Sequence, residues 1–196
     1  MRDQPDLEEA RETATRIVNH RTRAADIMTR VRRLFQKGAQ QRELMDVNEI
    51  IREIIVLLRD EATRCGISVR MDLATNLPET IRDRVQLQQL MMNLIMNSID
   101  AMKEVGGERE VTIHSRQEED GHLQVSISDT GVGLPTQQAD QIFQAFFTTK
   151  PDGTGMGLSI SRSIIESHGG RLWAAGNNPR GAYFHFTLPT KVEGHE

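Results

Sequence analysis

Cysteine is nearly absent from this 196-residue chain. Cys65 stands alone, so neither an internal disulfide nor a multi-cysteine metal site can form. The scarcity fits a reducing compartment. Aromatics are sparse too, with one Trp, one Tyr and six Phe, too few for an extended base-stacking platform. No apolar run approaches the roughly 18 residues of a membrane span, and the polar start lacks a signal peptide's apolar core. A cytoplasmic location is expected, with any membrane anchor in a larger parent protein. A broad basic surface is missing as well. Formal net charge is −4, which argues against the simplest nucleic-acid binder. The charge is lopsided: the first 45 residues carry 10 Lys and Arg against 7 Asp and Glu, and the remaining 151 carry 14 against 21.

Gly and Pro are also missing between Asp6 and Phe35. Pro5 and Asp6 suit a helix start, and Gly38 suits a stop. The spacing predicts a rod of roughly 45 Å. Leu7, Ala10, Ala14, Ile17, Arg21, Ala24, Met28, Val31 and Phe35 recur at alternating steps of three and four, with only Arg21 polar. That is a coiled-coil or bundle seam. Such a stripe needs a mate, and no other segment here has comparable length and seam. The mate is expected to be missing or to come from another chain. Arg30, Arg32, Arg33, Lys37 and Arg42 cluster near its end. They are either a solvated face or a surface steering an acidic protein partner.

The remainder reads as one domain. Residues 39–45 form a polar linker and 46–189 the main body, with 190–196 a tail. A helix capped by Asp46 or Asn48 runs to about Arg64, with Ile50, Ile51, Ile54, Ile55, Leu57 and Leu58 on one side. Ile67, Val69, Met71 and Leu73 alternate with polar residues, the mark of a half-buried strand. A turn at 76–79 precedes a second helix from about Asp83 to Met102. A hairpin follows at 110–116 and 122–128, then a long loop from Gly131 to Gly153. A third helix spans about 156–167, and strands at 171–175 and 182–188 close the domain. The expected fold class is an α/β sandwich, one mixed sheet with helices over one face. It is not a Rossmann domain, because strands do not alternate singly with helices and no GxGxxG follows an opening strand.

Three features carry chemistry. Asn93 and Asn97 lie one turn apart on a helix dense in Leu, Ile and Met. They either cap a loop, or Asn97 offers its carbonyl oxygen to Mg²⁺ beside phosphates. Asp129-Thr-Gly131-Val-Gly133 follows a strand, giving an ordinary Asx turn or an acceptor for the exocyclic amine of adenine. Gly153-Thr154-Gly155-Met156-Gly157-Leu158 leads into a helix, where close backbone approach and unpaired N–H groups suit phosphate. Lys150 stands just before it. The Walker A spacing is absent.

Together and in this order, the motifs resemble the ATP-binding catalytic domain of bacterial sensor histidine kinases, of the gyrase, chaperone, histidine-kinase and MutL superfamily. Asn93–Ala101 is similar to the N box, and Asp129–Pro135 to the first glycine box. Ile142–Lys150 is similar to the F box, and Gly153–Leu158 to the second glycine box. The resemblance covers roughly residues 46–189 and implies a Bergerat fold. It implies that Asn97 holds Mg²⁺ and that Asn93 contacts phosphate or the metal shell. Asp129 would bind adenine, with Gly131 and Gly133 shaping that wall. Residues 134–153 would be a mobile lid anchored by Phe143 and by Phe146 or Phe147. Lys150 and the amides of Gly155, Gly157 and Leu158 would meet phosphate. Asp100, Gly153, Thr154 and Met156 complete the expected ATP-contacting set.

The resemblance also implies that 1–38 correspond to the second helix of a dimerisation and phosphotransfer hairpin. The first helix, with its acceptor His and following acidic residue, is missing. His20, His114, His122, His168, His185 and His195 all lack that setting, so the chain reads as a truncated kinase. It is expected to phosphorylate a His on a separate hairpin, for relay to a response-regulator receiver domain, and its parent to be a homodimer. No nucleic acid and no membrane insertion are expected of this piece. A gyrase- or chaperone-like ATPase and a non-catalytic interaction module on the same fold are the alternatives. Related ATPases place Glu where Asn93 stands, and without that base attack by water should be slow.

Overall fold

The computed structural model describes residues 42–134, 140–150 and 153–190. The helix and seam expected over 6–35, lid residues 135–139 and 151–152, His20, His195 and all but the first residue of the tail lie outside them. Contacts divide the chain into two units, 1–40 and 41–196, and the second is described here.

Helix α1 covers Val47–Arg64. Asp46 caps it by accepting from the Asn48 N–H at 2.8 Å, satisfying a donor the helix leaves open. It buries Ile50, Ile51, Ile54 and Leu58, each contributing about 1.5–3 kcal/mol. Leu57, expected on that face, is 66% exposed. It lies a quarter-turn off the stripe, as one residue before Leu58 must. The chain then reverses at Gly66, whose φ of 65° favours glycine.

Strand β1 (Arg42–Met45) pairs antiparallel with β3 (Thr80–Asp83). Both correct the sequence reading, in which 42–45 were linker and Asp83 began the second helix. Four residues are too short to show a period, and only Met45 of β1 is buried. Asp83 is the N-cap of α2 (Arg84–Met102), accepting from the Gln86 N–H at 3.0 Å. Val85, apolar by type, is 71% exposed. Leu87, Leu90, Met91, Leu94, Ile95, Ile99 and Met102 are buried.

The main sheet runs β2 (Ser68–Leu73), β4 (Glu110–Gln117), β5 (His122–Asp129), β7 (Ala182–Pro189), β6 (Arg171–Gly176) in spatial order. Only β2 and β4 are parallel, so the sheet is mixed. Ile113, Val125, Ile127, Phe184 and Phe186 are buried towards α1, α2 and α3 (Gly157–Ser167). Alternate residues face away, where His185 stacks between Trp173 and Tyr183. The expected α/β sandwich is therefore present. Helix α2 packs against both α1 and α3 and against β5, which makes it the floor on which the site is built.

Candidate functional site

Helical spacing puts Asn93, Asn97 and Asp100 in a row along α2. At the far end, Lys150 Nζ donates to Asp100 Oδ2 at 2.8 Å and to Asn97 Oδ1 at 3.2 Å. Lys103 Nζ lies 2.8 Å from the other Asp100 oxygen. Burial pushes the Asp100 carboxyl up, but bonds to Lys103 and Lys150 outweigh it and hold the group below its ordinary value. At the other end, Asn93 Nδ2 donates to Ser161 Oγ at 2.7 Å. Asn93 thus meets α3, while Asn97 and Asp100 meet the segment ending at Lys150.

Asp129 closes β5 and is 2% exposed. Its Oδ1 accepts from the N–H groups of Gly131 at 2.9 Å and Ala182 at 3.2 Å. Burial raises its pKa, opposed by those two bonds. The Ser98 hydroxyl lies nearby outside hydrogen-bonding geometry and contributes least. Both bonds land on one oxygen, which leaves Oδ2 outside that pair. Gly131 packs on α2 so closely that a Cβ would stand 2.7 Å from the Ala101 carbonyl oxygen. The Val132 N–H donates to the same carbonyl at 3.1 Å. Gly133 has φ 81° and faces the Gly181 carbonyl.

The glycines before α3 are equally constrained. Gly155, at φ 66°, accepts from the Phe146 N–H at 2.9 Å, and a Cβ there would stand 2.3 Å from the Phe146 carbonyl carbon. At Gly157 a Cβ would meet Asn93 Oδ1 at 2.4 Å, and at Gly153 it would meet Thr148 Oγ1. Thr154 and Leu158 are half-buried and Met156 is buried. Phe143 is buried beneath the Arg162 guanidinium, 4.1 Å from the ring centroid. Phe147 is half-buried, whereas the Phe146 side chain is 75% exposed, with φ at 69°.

Several contributors left no signal in the sequence. Asn177 Nδ2 donates to the Asp129 carbonyl at 2.9 Å, and Gly181 passes so close that a Cβ would overlap that same carbonyl. Ser161, Ser98 and Arg162 were likewise missed.

The arrangement fits a nucleotide held with a divalent cation. Asn97 and Asp100 present oxygens on which a cationic group, the Lys150 ammonium, already sits. Among the described residues no group of three His, Cys, Asp or Glu converges on a possible metal position, so an ion here would rely on amide oxygen, ligand phosphate and water. The first N–H groups of α3 are of the kind that receive an anion.

The sequence profile of the family described as "Histidine kinase-, DNA gyrase B-, and HSP90-like ATPase" matches residues 82–192. The chain belongs to this family. Within it, the chain is 36% identical to the sensor histidine kinase TmoS of Ectopseudomonas mendocina over 94% of its own length and 19% of that protein's. It is also 36% identical to the sensor protein FixL of Bradyrhizobium diazoefficiens, over 96% of its length and 37% of FixL's. The chain thus spans well under half of these curated relatives. The nucleotide-free catalytic domain of the histidine kinase ThkA is similar at TM-score 0.68 and 33% identity, covering 76% of this chain and 95% of that one. ThkA in complex with the response regulator TrrA is similar at TM-score 0.76 and 27% identity, over 97% and 53%. These matches place the chain among the ATP-binding domains of two-component histidine kinases, with the Bergerat fold.

The described histidines have other engagements. His114 Nδ1 lies 3.1 Å from Asp72, and His122 Nδ1 lies 3.0 Å from Asp120. His185 meets Ser126 at 2.7 Å. His168 is buried at the end of α3. Among the described residues, no helix is long and apolar enough to cross a membrane.

Proposed function

We propose that the chain binds Mg·ATP and transfers the γ-phosphoryl group to a histidine on a separate hairpin, for relay to a receiver-domain aspartate. The observation that carries this reading is the convergence on α2 of three unlike groups: the Asp129 carboxylate, the Asn97–Asp100–Lys150 cluster and the glycine-lined start of α3. Asp129 Oδ2 would accept the adenine amine. Gly131 and Gly133 would let that wall approach the base. Lys150 would exchange Asp100 for phosphate, and the amides of Gly155, Gly157 and Leu158 would receive the phosphate oxygens. Asn97 would hold the metal, which when bound supplies charge neutralisation across the transferring phosphate oxygens. Phe143, fixed under Arg162, would anchor the loop over the nucleotide. Asn93 offers no general base for water, which favours transfer to an imidazole, itself a nucleophile when neutral. The ThkA–TrrA complex supports a receiver domain as the partner class.

Calorimetric titration with ATP, with and without Mg²⁺, tests the first half. Incubation with a separate hairpin bearing an acceptor His, following acid-labile phosphate on that hairpin, tests the second. Metal-dependent binding and phosphorylation of the added hairpin are expected. Multiple-turnover hydrolysis without transfer would favour a gyrase- or chaperone-like ATPase. Binding without either reaction would favour an interaction module.

A further inference from the structure

We infer that Ser161, which carries none of the roles above, is a positioning residue: it dictates which end of the Asn93 amide lies over the start of α3. The inference rests on the Mg·ATP reading of that pocket. Ser161 lies one turn into α3 and is 1% exposed. A hydroxyl has a single proton. Here it donates to the Gly157 carbonyl at 3.0 Å, a group that can only accept. With that proton committed, the oxygen turns its lone pairs to Asn93 at 2.7 Å, and only an N–H can meet it. The opposite amide orientation would press two acceptors together at a buried position, which is costly. Asn93 therefore directs its NH2 group inward to α3 and its Oδ1 over Gly157, into the space a Cβ would fill.

The consequence concerns what Asn93 recognises. An NH2 group spent on Ser161 is a poor phosphate donor, whereas the Oδ1 held over the start of α3 is an acceptor for a cation's water shell. Ser161 thus selects the metal shell over phosphate as the partner of Asn93. It does so without touching either, as outer-sphere groups commonly do. The glycine at 157 belongs to the same device, since any side chain there would occupy the position of Oδ1.

The test is the ratio of ATP affinity with Mg²⁺ to ATP affinity in chelator, measured by calorimetry on the full chain. Ser161→Ala is expected to lower that ratio about tenfold, with metal-free ATP affinity changed by less than about twofold. Ser161→Cys, which keeps the shape and loses the strong acceptor, should do the same and serves if the alanine variant folds poorly. In an Asn93→Ala background, Ser161→Ala should have no further effect on the ratio. Equal weakening with and without Mg²⁺ would make Ser161 a structural residue and overturn the inference. So would an unchanged ratio, or a full effect persisting without Asn93. Absence of any adenine-nucleotide binding by the unsubstituted chain would overturn the underlying reading and the inference together.

Discussion

The Lys150 ammonium stands 2.8 Å from Asp100 Oδ2, fifty residues away in sequence, and brings the end of the F-box segment down onto α2. Both side chains are partly exposed, at 41% and 30%. Such a pair contributes only about 0–1 kcal/mol to folding. Its proposed role lies in exchange: phosphate offers the ammonium a second anionic partner. Lys150→Met should leave the thermal midpoint nearly unchanged. Loss of one charge-assisted bond, about 1.5–3 kcal/mol, should lower Mg·ATP affinity roughly ten- to a hundredfold. Melting curves and calorimetry on the same preparation separate the two effects. Undiminished affinity would leave Lys150 a surface ion-pair partner and nothing more.

Asp129 should trade stability for recognition. Its folded pKa is raised from 3.8 by burial. The group therefore favours folding in its protonated state; that contribution is full below about 3.8 and is lost as pH rises through the raised folded value. At neutral pH the buried charge opposes folding. Asparagine keeps an oxygen for Gly131 and Ala182 but turns an NH2 group where adenine's own amine must donate. Asp129→Asn should melt at the same or a higher temperature while binding ATP at least about tenfold more weakly. A variant that melts lower with ATP affinity intact would reverse both assignments.

Much of this is legible from the order of residues along the chain. The apolar stripes of α1 and α2, the β4–β5 hairpin and the glycine runs each repeat a local period or punctuate one. What was lost had no local signal. The pairing of β1 with β3 joins two four-residue segments nearly forty residues apart, neither long enough to show alternation. Ser161 looks like any polar residue on a helix until Asn93, 68 positions earlier, is placed beside it. Asn177 and Gly181 read as loop residues because their partner is the backbone of Asp129, which no side-chain pattern encodes.

His168 should make the fold acid-sensitive. Its ring spans two fixed groups: Nδ1 lies 2.7 Å from the Ile164 carbonyl oxygen, and Nε2 accepts from the Asp83 N–H at 3.2 Å. One nitrogen must donate and the other accept, which only the neutral imidazole can do. Burial lowers its pKa from 6.5, and Arg82 and Arg42 push the same way, while the Ile164 carbonyl and Asp83 oppose. A depressed histidine contributes stability that is present above its unfolded value near 6.5 and declines as pH falls below it. His185, lowered chiefly by burial, adds to the same trend. The thermal midpoint should fall between pH 7.5 and pH 5.5 on this account. His168→Gln should be less stable at pH 7.5 and show a shallower decline. A slope unchanged by the substitution would assign the acid sensitivity elsewhere.

Gly155 and Gly157 are two residues apart and should fail in different ways. At Gly155 the obstacle is the Phe146 backbone at 2.3 Å, and φ is 66°. Neither can yield without moving the segment, so Gly155→Ala should disrupt the turn that joins Phe146 to the start of α3, at a local cost of about 1–3 kcal/mol. At Gly157 the obstacle is the amide end of Asn93 at 2.4 Å, a side chain able to rotate. Alanine also favours a helix over glycine by roughly 1 kcal/mol, so Gly157→Ala should fold at least as well as the parent chain. Its defect should appear only when Mg·ATP is offered, because the displaced Asn93 no longer holds its oxygen over the helix start. Proteolysis between residues 146 and 157 reports the first effect, and the Mg²⁺-dependent gain in ATP affinity reports the second. If Gly157→Ala loses the turn, or keeps the full metal-dependent gain, then Asn93 is not the group that requires a bare backbone there.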